Sequence, residues 1–344
     1  MRENLVIIFG GHSRESLVSV ATAQNLSQAL PEASCWFWAP DGQIYDVSRE
    51  HLLSHADAFK VPLIPQKASL FESLSMALHS ELAFKSLFIN GLHGGSGEDG
   101  TVQHWFEKRY TPFTGPGAEA CRVCMNKDQA KQKLKAAGAR VAESYLISGY
   151  DDVEAEASIR KLFQSFDQLI LKPNEEGSSF GLLLLEPSNW DQALREISKN
   201  LGTSYLLEAY IPGTELTVGV VDSKSGTRAL VPTELRVQRG FADYDGKYLG
   251  LGTVEVTPAQ VSAHVTEMAQ RLAVAAHTVL NCEGYSRTDM IVDEQGVVFL
   301  ETNALPGLTK ASLVPQALAY EGVSLREFLE EQMEIARARA RRTL

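Results

Sequence analysis

The sequence predicts an α/β protein built in three units, the first of them an open parallel sheet. Three observations carry that expectation. The chain has 344 residues, more than one ordinary domain. Short apolar runs alternate with segments of helical spacing. Two of those runs, Leu5 to Phe9 and Ser86 to Asn90, stop on glycine turns, as buried parallel strands do.

In the first unit Leu5 to Phe9 ends at Gly10-Gly11, and helical spacing follows through Ala21 and Leu30. Ser86 to Asn90 repeats the theme and leads through Gly91-Leu92-His93-Gly94-Gly95 to a helix from about Thr101. Ligands of such a sheet lie beyond the carboxyl ends of its strands. Thr114-Gly115-Pro116-Gly117 is turn chemistry that closes the unit. The second unit opens near Met125 with a helix to Ala137 that Gly138 ends. Strands over Leu169 to Lys172 and Leu182 to Glu186 follow, and the glycine- and serine-bearing loop between them reads as a flexible flap. The third unit starts near Tyr205, with strands over Tyr205 to Tyr210 and Leu216 to Val221. Arg239 to Gly252 is glycine-rich, aromatic and charged, which marks a long functional loop. Thr257 is expected to cap a long helix, with Pro258 at its first position and Gln260 closing the box. Two strands, Gly284 to Val292 and Val297 to Ala304, flank a hairpin turn at Asp293-Glu294-Gln295-Gly296. Ser324 and Glu327 cap the last helix, whose Arg337, Arg339, Arg341 and Arg342 read as a solvated end that suits the helix dipole.

Composition narrows the function. The hydrophobic fraction of 44% supports a buried core, and the net charge of -11 without a dense basic stretch argues against nucleic acid. Phosphate is not excluded, because a few cations and backbone N–H groups suffice to bind it. The apolar run in MRENLVIIFGG is too short for a signal peptide, and nothing approaches the roughly 18 to 20 apolar residues of a spanning helix. Cys35, Cys121, Cys124 and Cys282 are too few for a disulfide scaffold; Cys121 and Cys124 read as reduced thiols on a helix. The cytoplasm is the expected compartment.

Arg287-Thr288-Asp289 and Glu301-Thr302-Asn303 are the strongest local signal. Side chains alternate along a strand, so Arg287 and Asp289 share one face, and Glu301 and Asn303 do the same on the neighbouring strand. Two carboxylates and an amide converging across a hairpin make the hard-oxygen site magnesium prefers, with a cation beside it. The competing reading is a surface ladder of charge pairs. Lys172-Pro173-Asn174-Glu175-Glu176-Gly177-Ser178-Ser179-Phe180-Gly181 ends a strand on a lysine, with small residues that let backbone N–H groups approach a ligand. Gly10-Gly11-His12-Ser13-Arg14-Glu15 lacks G-x-G-x-x-G, and Glu15 reads locally as a complement to a helix dipole. His93 is expected to be exposed at the carboxyl edge of the first sheet, with or without a function.

Taken together, six segments resemble the D-alanine–D-alanine ligase family of the ATP-grasp superfamily: HGGSGEDGTVQ from His93 to Gln103, FTGPG from Phe113 to Gly117, MNK from Met125 to Lys127, KPNEEGSSFG from Lys172 to Gly181, DYDGKY from Asp243 to Tyr248, and Arg287 to Leu313. They occur in family order between about Leu5 and Leu329. The resemblance implies a three-domain ATP-grasp fold, α/β overall and α+β in the ATP-grasp part. Its expected units are an N-terminal substrate domain (1–124), a central ATP-grasp domain (125–210) and a C-terminal catalytic domain (211–344).

The resemblance also implies roles. Lys127 and Lys172 match phosphate-contacting lysines, Glu208, Tyr210 and Ile211 the strand that holds adenine, and Glu215 the ribose-binding acid. Asp289, Glu301 and Asn303 match the magnesium ligands. Glu15 matches the acid that holds the ammonium of the first D-alanine, with Ser178 and Tyr248 completing a hydrogen-bonded triad and His93 beside that substrate. Arg287 and the backbone N–H of Gly307 match the oxyanion stabilisers. Ser312 with Lys247 matches the group that fixes the second carboxylate, and Leu313 packs near its methyl. ATP and magnesium, two ions for which manganese can substitute, are the implied cofactors. D-alanine and ATP are the implied small-molecule partners, and the chain is expected to be a homodimer that engages neither nucleic acid nor membrane.

The implied product is a dipeptide made through an acylphosphate for peptidoglycan precursors, with Arg239 to Gly252 as a lid that excludes water. Ser16, Leu17, Ala209, Ala242 and Ala304 depart from the family pattern, but no matched catalytic group is lost. The rival readings are a relative that joins D-alanine to D-serine or D-lactate, a ligase for L-amino acids, an enzyme of secondary metabolism, and a non-catalytic ATP-binding protein. Tyr248, which the lactate-using branch lacks, favours an amine nucleophile.

Overall fold

The computed structural model describes residues 3–147, 152–177, 181–200, 202–237 and 253–343. Ser178, Lys247 and Tyr248, and the whole loop from Arg239 to Gly252 with Ala242, lie outside the described residues. Three sheets organise the described residues.

The first sheet has the order β3-β2-β1-β4. β1 (Asn4–Gly10) pairs in parallel with β2 (Ser34–Trp38) and with β4 (Ser86–Asn90), while β3 (Ile44–Val47) adds an antiparallel edge. β4 is buried along its whole length, which explains its uninterrupted apolar reading. α1 (Ser16–Ala29) covers one face. Three short helices, α2 (Arg49–Ser54), α3 (Leu74–Leu78) and α4 (Glu81–Phe84), each start at a serine whose hydroxyl accepts a first-turn N–H. α5 (Thr101–Glu107) follows β4, as the glycine-rich bend predicts.

α6 (Ala118–Met125) and α7 (Lys127–Ala136) meet at Asn126, whose side chain caps α7 by accepting the Gln129 N–H at 2.9 Å. Gly138, at φ 89°, ends that helical stretch. The second sheet, order β5-β8-β6-β7, is antiparallel: β5 (Ser144–Ile147), β6 (Leu169–Pro173), β7 (Leu183–Leu185) and β8 (Tyr205–Ala209). α8 (Asp152–Leu162) and α9 (Asp191–Lys199) back it.

The third sheet runs β12-β11-β9-β13-β14, with β10 beside β9. Its strands are β9 (Thr214–Ser223), β10 (Gly226–Ala229), β11 (Thr233–Val237), β12 (Thr253–Val256), β13 (Tyr285–Asp293) and β14 (Gly296–Asn303). Leu216, Val218 and Val220 of β9, Met290 of β13 and Phe299 of β14 point to one face. There they pack on α10 (Ala263–Val279) and on α6 and α7, with Cys121, Cys124 and Cys282 buried among them as free thiols. The other face carries the polar residues. A bulge in β14 sets their register: Met290 pairs with Phe299, but Asp289 pairs with Glu301, so Leu300 is the extra residue.

Two expectations are corrected. The long helix does not start at Thr257: Ser262 is its N-cap, accepting the Val265 N–H at 3.3 Å, and Thr257 instead meets Thr233 hydroxyl to hydroxyl at 2.7 Å. The last helix, α12 (Leu325–Thr343), is opened by Ser324 and Glu327 as expected, and Arg341 and Arg342 are exposed as expected, but Arg337 and Arg339 are not part of a solvated end. Arg339 donates to the carbonyls of Gly115 and Phe113, and its guanidinium lies 3.9 Å from the Phe113 ring centroid. Arg337 pairs with Glu3 at 2.7 Å. α12 is thereby fastened to the first unit. α11 (Leu313–Tyr320) precedes it and packs on β9.

Candidate active site

The exposed face of the third sheet is where the site is built, and strand alternation selects its residues. Along β13 that face presents Arg287, Asp289 and Ile291. Across the β13–β14 pair, Asn303 stands opposite Arg287 and Glu301 opposite Asp289. Across the β13–β9 pair, Glu215 stands opposite Ile291. The surface-ladder reading fails because Asp289 is only 5% exposed. Its Oδ1 accepts from the Thr217 hydroxyl at 2.5 Å and from Arg287 Nε at 2.9 Å, and its Oδ2 from Arg287 Nη2 at 2.8 Å.

Opposite this face lies the second sheet, and between the two is a cleft of about 940 Å³. Lys172, Glu208, Tyr210 and Ile211 line it from the second sheet, Glu215, Ile291 and Leu300 from the third. Glu208 is fully enclosed and bridges two lysines: Lys131 from α7 and Lys172 Nζ at 3.0 Å. Burial pushes the Glu208 carboxyl up, but the two ammonium groups outweigh it and hold the carboxyl below the ordinary glutamate value. Burial likewise lowers Lys172, yet Glu208 and Glu301 leave it above the usual lysine value; Lys131 stays depressed, burial prevailing there. Lys127 Nζ lies 3.8 Å from Glu301. The 174–177 turn is anchored to the start of α7, where the Asn174 carbonyl accepts the Lys127 N–H at 3.1 Å and Asn174 Oδ1 the Asp128 N–H at 2.9 Å.

A second cleft, of about 900 Å³, continues from the first and shares Gly177, Asp289 and Glu301 with it. Its walls come from all three sheets' units: Glu15, Phe59 and Glu98 from the first, Gly177 from the second, and Arg287, Asn303, Gly307, Ser312 and Leu313 from the third. Glu15 is buried at the start of α1, and two glycines crowd it. A Cβ on Gly94 would lie 2.6 Å from Glu15 Oε2, and one on Gly177 would lie 3.4 Å away. Gly307 has the same reason to lack a side chain, since its Cβ would fall 2.7 Å from Ser312 Oγ. Ser312 stands at the start of α11 but turns its hydroxyl back to Thr309, whose N–H it accepts at 3.1 Å, leaving that helix end without a side-chain cap.

Of the residues the sequence singles out, all those described converge on these two clefts except His93. It is 5% exposed rather than at an open edge, because its ring is held between Thr22 Oγ1 at 2.9 Å and Glu98 at 3.3 Å. Glu98 lines the cleft in its place. Sequence reasoning also missed Lys131, which the spacing of four from Lys127 could have placed on the same helix face. Glu255 of β12 is a third omission: it lines the second cleft, Gln316 Nε2 donates to its Oε2 at 2.6 Å, and burial raises its carboxyl above the ordinary value.

Two antiparallel sheets closing on one cleft, with Lys127 and Lys172 and the acids Glu208, Glu215, Asp289 and Glu301 in its lining, define an ATP-dependent ligase of the ATP-grasp class. The family model for the D-ala D-ala ligase N-terminus matches residues 4–116, and that for the D-ala D-ala ligase C-terminus matches residues 134–334. The D-alanine–D-alanine ligase of Methylocella silvestris is 32% identical, covering 98% of this chain and 99% of the relative. Among solved structures, the D-alanine–D-alanine ligase of Coxiella burnetii superposes with a TM-score of 0.81 at 23% identity, covering 99% of this chain and 96% of that one. The VanG D-Ala:D-Ser ligase of Enterococcus faecalis gives 0.80 at 26% identity, covering 98% and 100%. The chain belongs to the D-alanine–D-alanine ligase family.

Proposed function

We propose that this chain joins two D-alanine molecules at the expense of ATP, in the cytoplasm, for peptidoglycan precursors. The observation that carries the reading is the continuity of the two clefts at Asp289 and Glu301. A nucleotide whose base lies by Glu208, Tyr210 and Ile211, with its ribose at Glu215, directs its terminal phosphate to Lys127 and Lys172 and so to the second cleft. There Glu15 takes the ammonium of the first D-alanine. Arg287 and the Gly307 N–H take the charge that grows on its carboxyl oxygen. The uncapped start of α11 at Ser312 takes the carboxylate of the second, with Leu313 beside its methyl.

The first carboxylate attacks the γ-phosphorus, the bond from that phosphorus to the β,γ-bridging oxygen breaks, and an acylphosphate forms as ADP leaves. The second amine attacks the carbonyl and phosphate leaves. Asp289 and Glu301 present paired hard-oxygen donors on one sheet face, with the Asn303 amide one register step away, a donor set that fits magnesium. Magnesium held there would supply positive charge to the phosphate oxygens. Ser178, Lys247 and Tyr248 are assigned their family roles in this reading. The units are 1–124, 125–210 and 211–344, although α7 packs in the core of the third sheet.

The test is phosphate release with ATP and magnesium across a panel of D- and L-amino acids, with products identified by mass spectrometry. D-Alanyl-D-alanine as the main product is expected. A clear preference for an L-amino acid, or for two unlike residues, overturns the substrate assignment.

A further inference from the structure

Glu255, a charged group of the second cleft, has no task in the proposed reaction. Glu255 lies on β12 directly opposite Leu235 of β11, and Thr253, two residues before it, lines the cleft with it. It shares the cleft with Ser312 and Leu313, where the second substrate binds, and with Arg287, where the acyl group reacts. Its Oε2 is fixed by Gln316, on the first turn of α11. Gln316 is its only hydrogen-bond partner among the described residues, which leaves Oε1 with none there. Among the described residues, the other charged groups of this cleft are Arg287, Asp289 and Glu301 on the third sheet and Glu15 and Glu98 on the first unit.

The acceptor amino acid arrives as a zwitterion, and its two ends need opposite surroundings. The start of α11 suits the carboxylate. The ammonium needs an anion, and it must lose a proton before it can attack, because an ammonium has no lone pair. Glu15 is engaged with the first substrate, Asp289 and Glu301 are assigned to the metal, and Glu98 is hydrogen-bonded to His93 at 3.3 Å. We propose that Glu255 is the group that receives the amino end of the acceptor and accepts its proton. This rests on the ligase reading of the site. In balance, one proton passes from the ammonium to Glu255 Oε1. The freed lone pair forms the C–N bond as the C–O bond to phosphate breaks with its electron pair. The second amine proton leaves with the phosphate. The substrate class is then an α-amine acceptor, with no call on its side chain for charge or a hydrogen-bond donor.

The test separates the two half-reactions in the full-length enzyme. Hydroxylamine is uncharged near neutral pH and traps the acylphosphate as a hydroxamate, so it needs no anion to receive it. In Glu255→Gln, hydroxamate formation from ATP and D-alanine should stay near the wild-type rate. kcat/KM for D-alanine as acceptor should fall by roughly 10- to 100-fold, the scale for losing a charged hydrogen bond. Glu255→Asp, which keeps the charge, should recover part of the loss. Hydroxamate and dipeptide falling in parallel overturn the proposal, as does an unchanged acceptor kcat/KM. A loss seen with D-serine but not D-alanine overturns it too, since Glu255 would then read a side chain. Should the wild type join other amino acids instead, the substrate assignment fails separately, and Glu255→Gln is scored on the acceptor actually used.

Discussion

The guanidinium of Arg287 holds the carboxylate of Asp289, two residues further along the same strand, through two hydrogen bonds of 2.9 and 2.8 Å. In the proposed reaction Arg287 serves the reacting carboxyl and Asp289 the metal, and the two side chains are also each other's partner. Arg287→Ala should lower turnover by roughly 10²- to 10³-fold, the scale for one oxyanion donor. ATP affinity, followed by equilibrium nucleotide binding, should change far less. A loss expressed wholly in ATP affinity would make Arg287 a ground-state phosphate ligand.

Glu301 faces Asp289 across the strand pair and has Lys127 nearby at 3.8 Å. Glu301→Gln keeps the shape and removes the charge a hard cation needs. Turnover should drop by orders of magnitude, and the magnesium concentration for half-maximal rate should rise, with an unchanged thermal melt. Near-normal turnover at low magnesium would remove this residue from the metal site.

The Lys131–Glu208–Lys172 group gives a pH dependence with a definite sign. The Glu208 carboxyl is held below its ordinary value of 4.5 in the folded protein despite burial, because two ammonium groups face it. Its contribution to stability is therefore complete above that value and is lost as the pH falls through the lower, folded value. Glu208→Gln should remove this acid limb from the urea-unfolding free energy. It should also destabilise the protein near neutral pH by about 3 to 5 kcal/mol, since two buried cations lose their partner.

Arg339 ties the end of α12 to the carbonyls of Phe113 and Gly115. Arg339→Met should cost about 2 to 4 kcal/mol in urea unfolding, from two charge-assisted hydrogen bonds and two carbonyls left unpaired. Arg341, exposed on the same turn, is the control: Arg341→Ala should stay within about 0.5 kcal/mol.

What the sequence disclosed and what it hid divide along one physical line. The 287–303 hairpin was legible because a period of two and a turn signal at Asp293–Gly296 are local, and local pattern decides which side chains share a face. The start of α10 was misread because Thr257-Pro258 carries as good a cap signal as Ser262, and nothing local says which one the helix uses. The half-buried Arg339 and the buried Lys131 escape a sequence reading because their partners lie 224 to 226 and 77 residues away. A helix end reads as solvated until the packing of distant elements is known. His93 fell to the same limit, since Thr22 closes over it from α1.

The extra residue in β14 has an arithmetic consequence. Leu300 allows both itself and Glu301 to serve the cleft, while Phe299 still fills the core beneath. Remove that single leucine and a regular ladder would still set Glu301 opposite Asp289 and Asn303 opposite Arg287; what the first cleft would lose is one apolar side chain from its wall. A homologue with a one-residue gap there keeps its acids in register and differs only in the lining beside them.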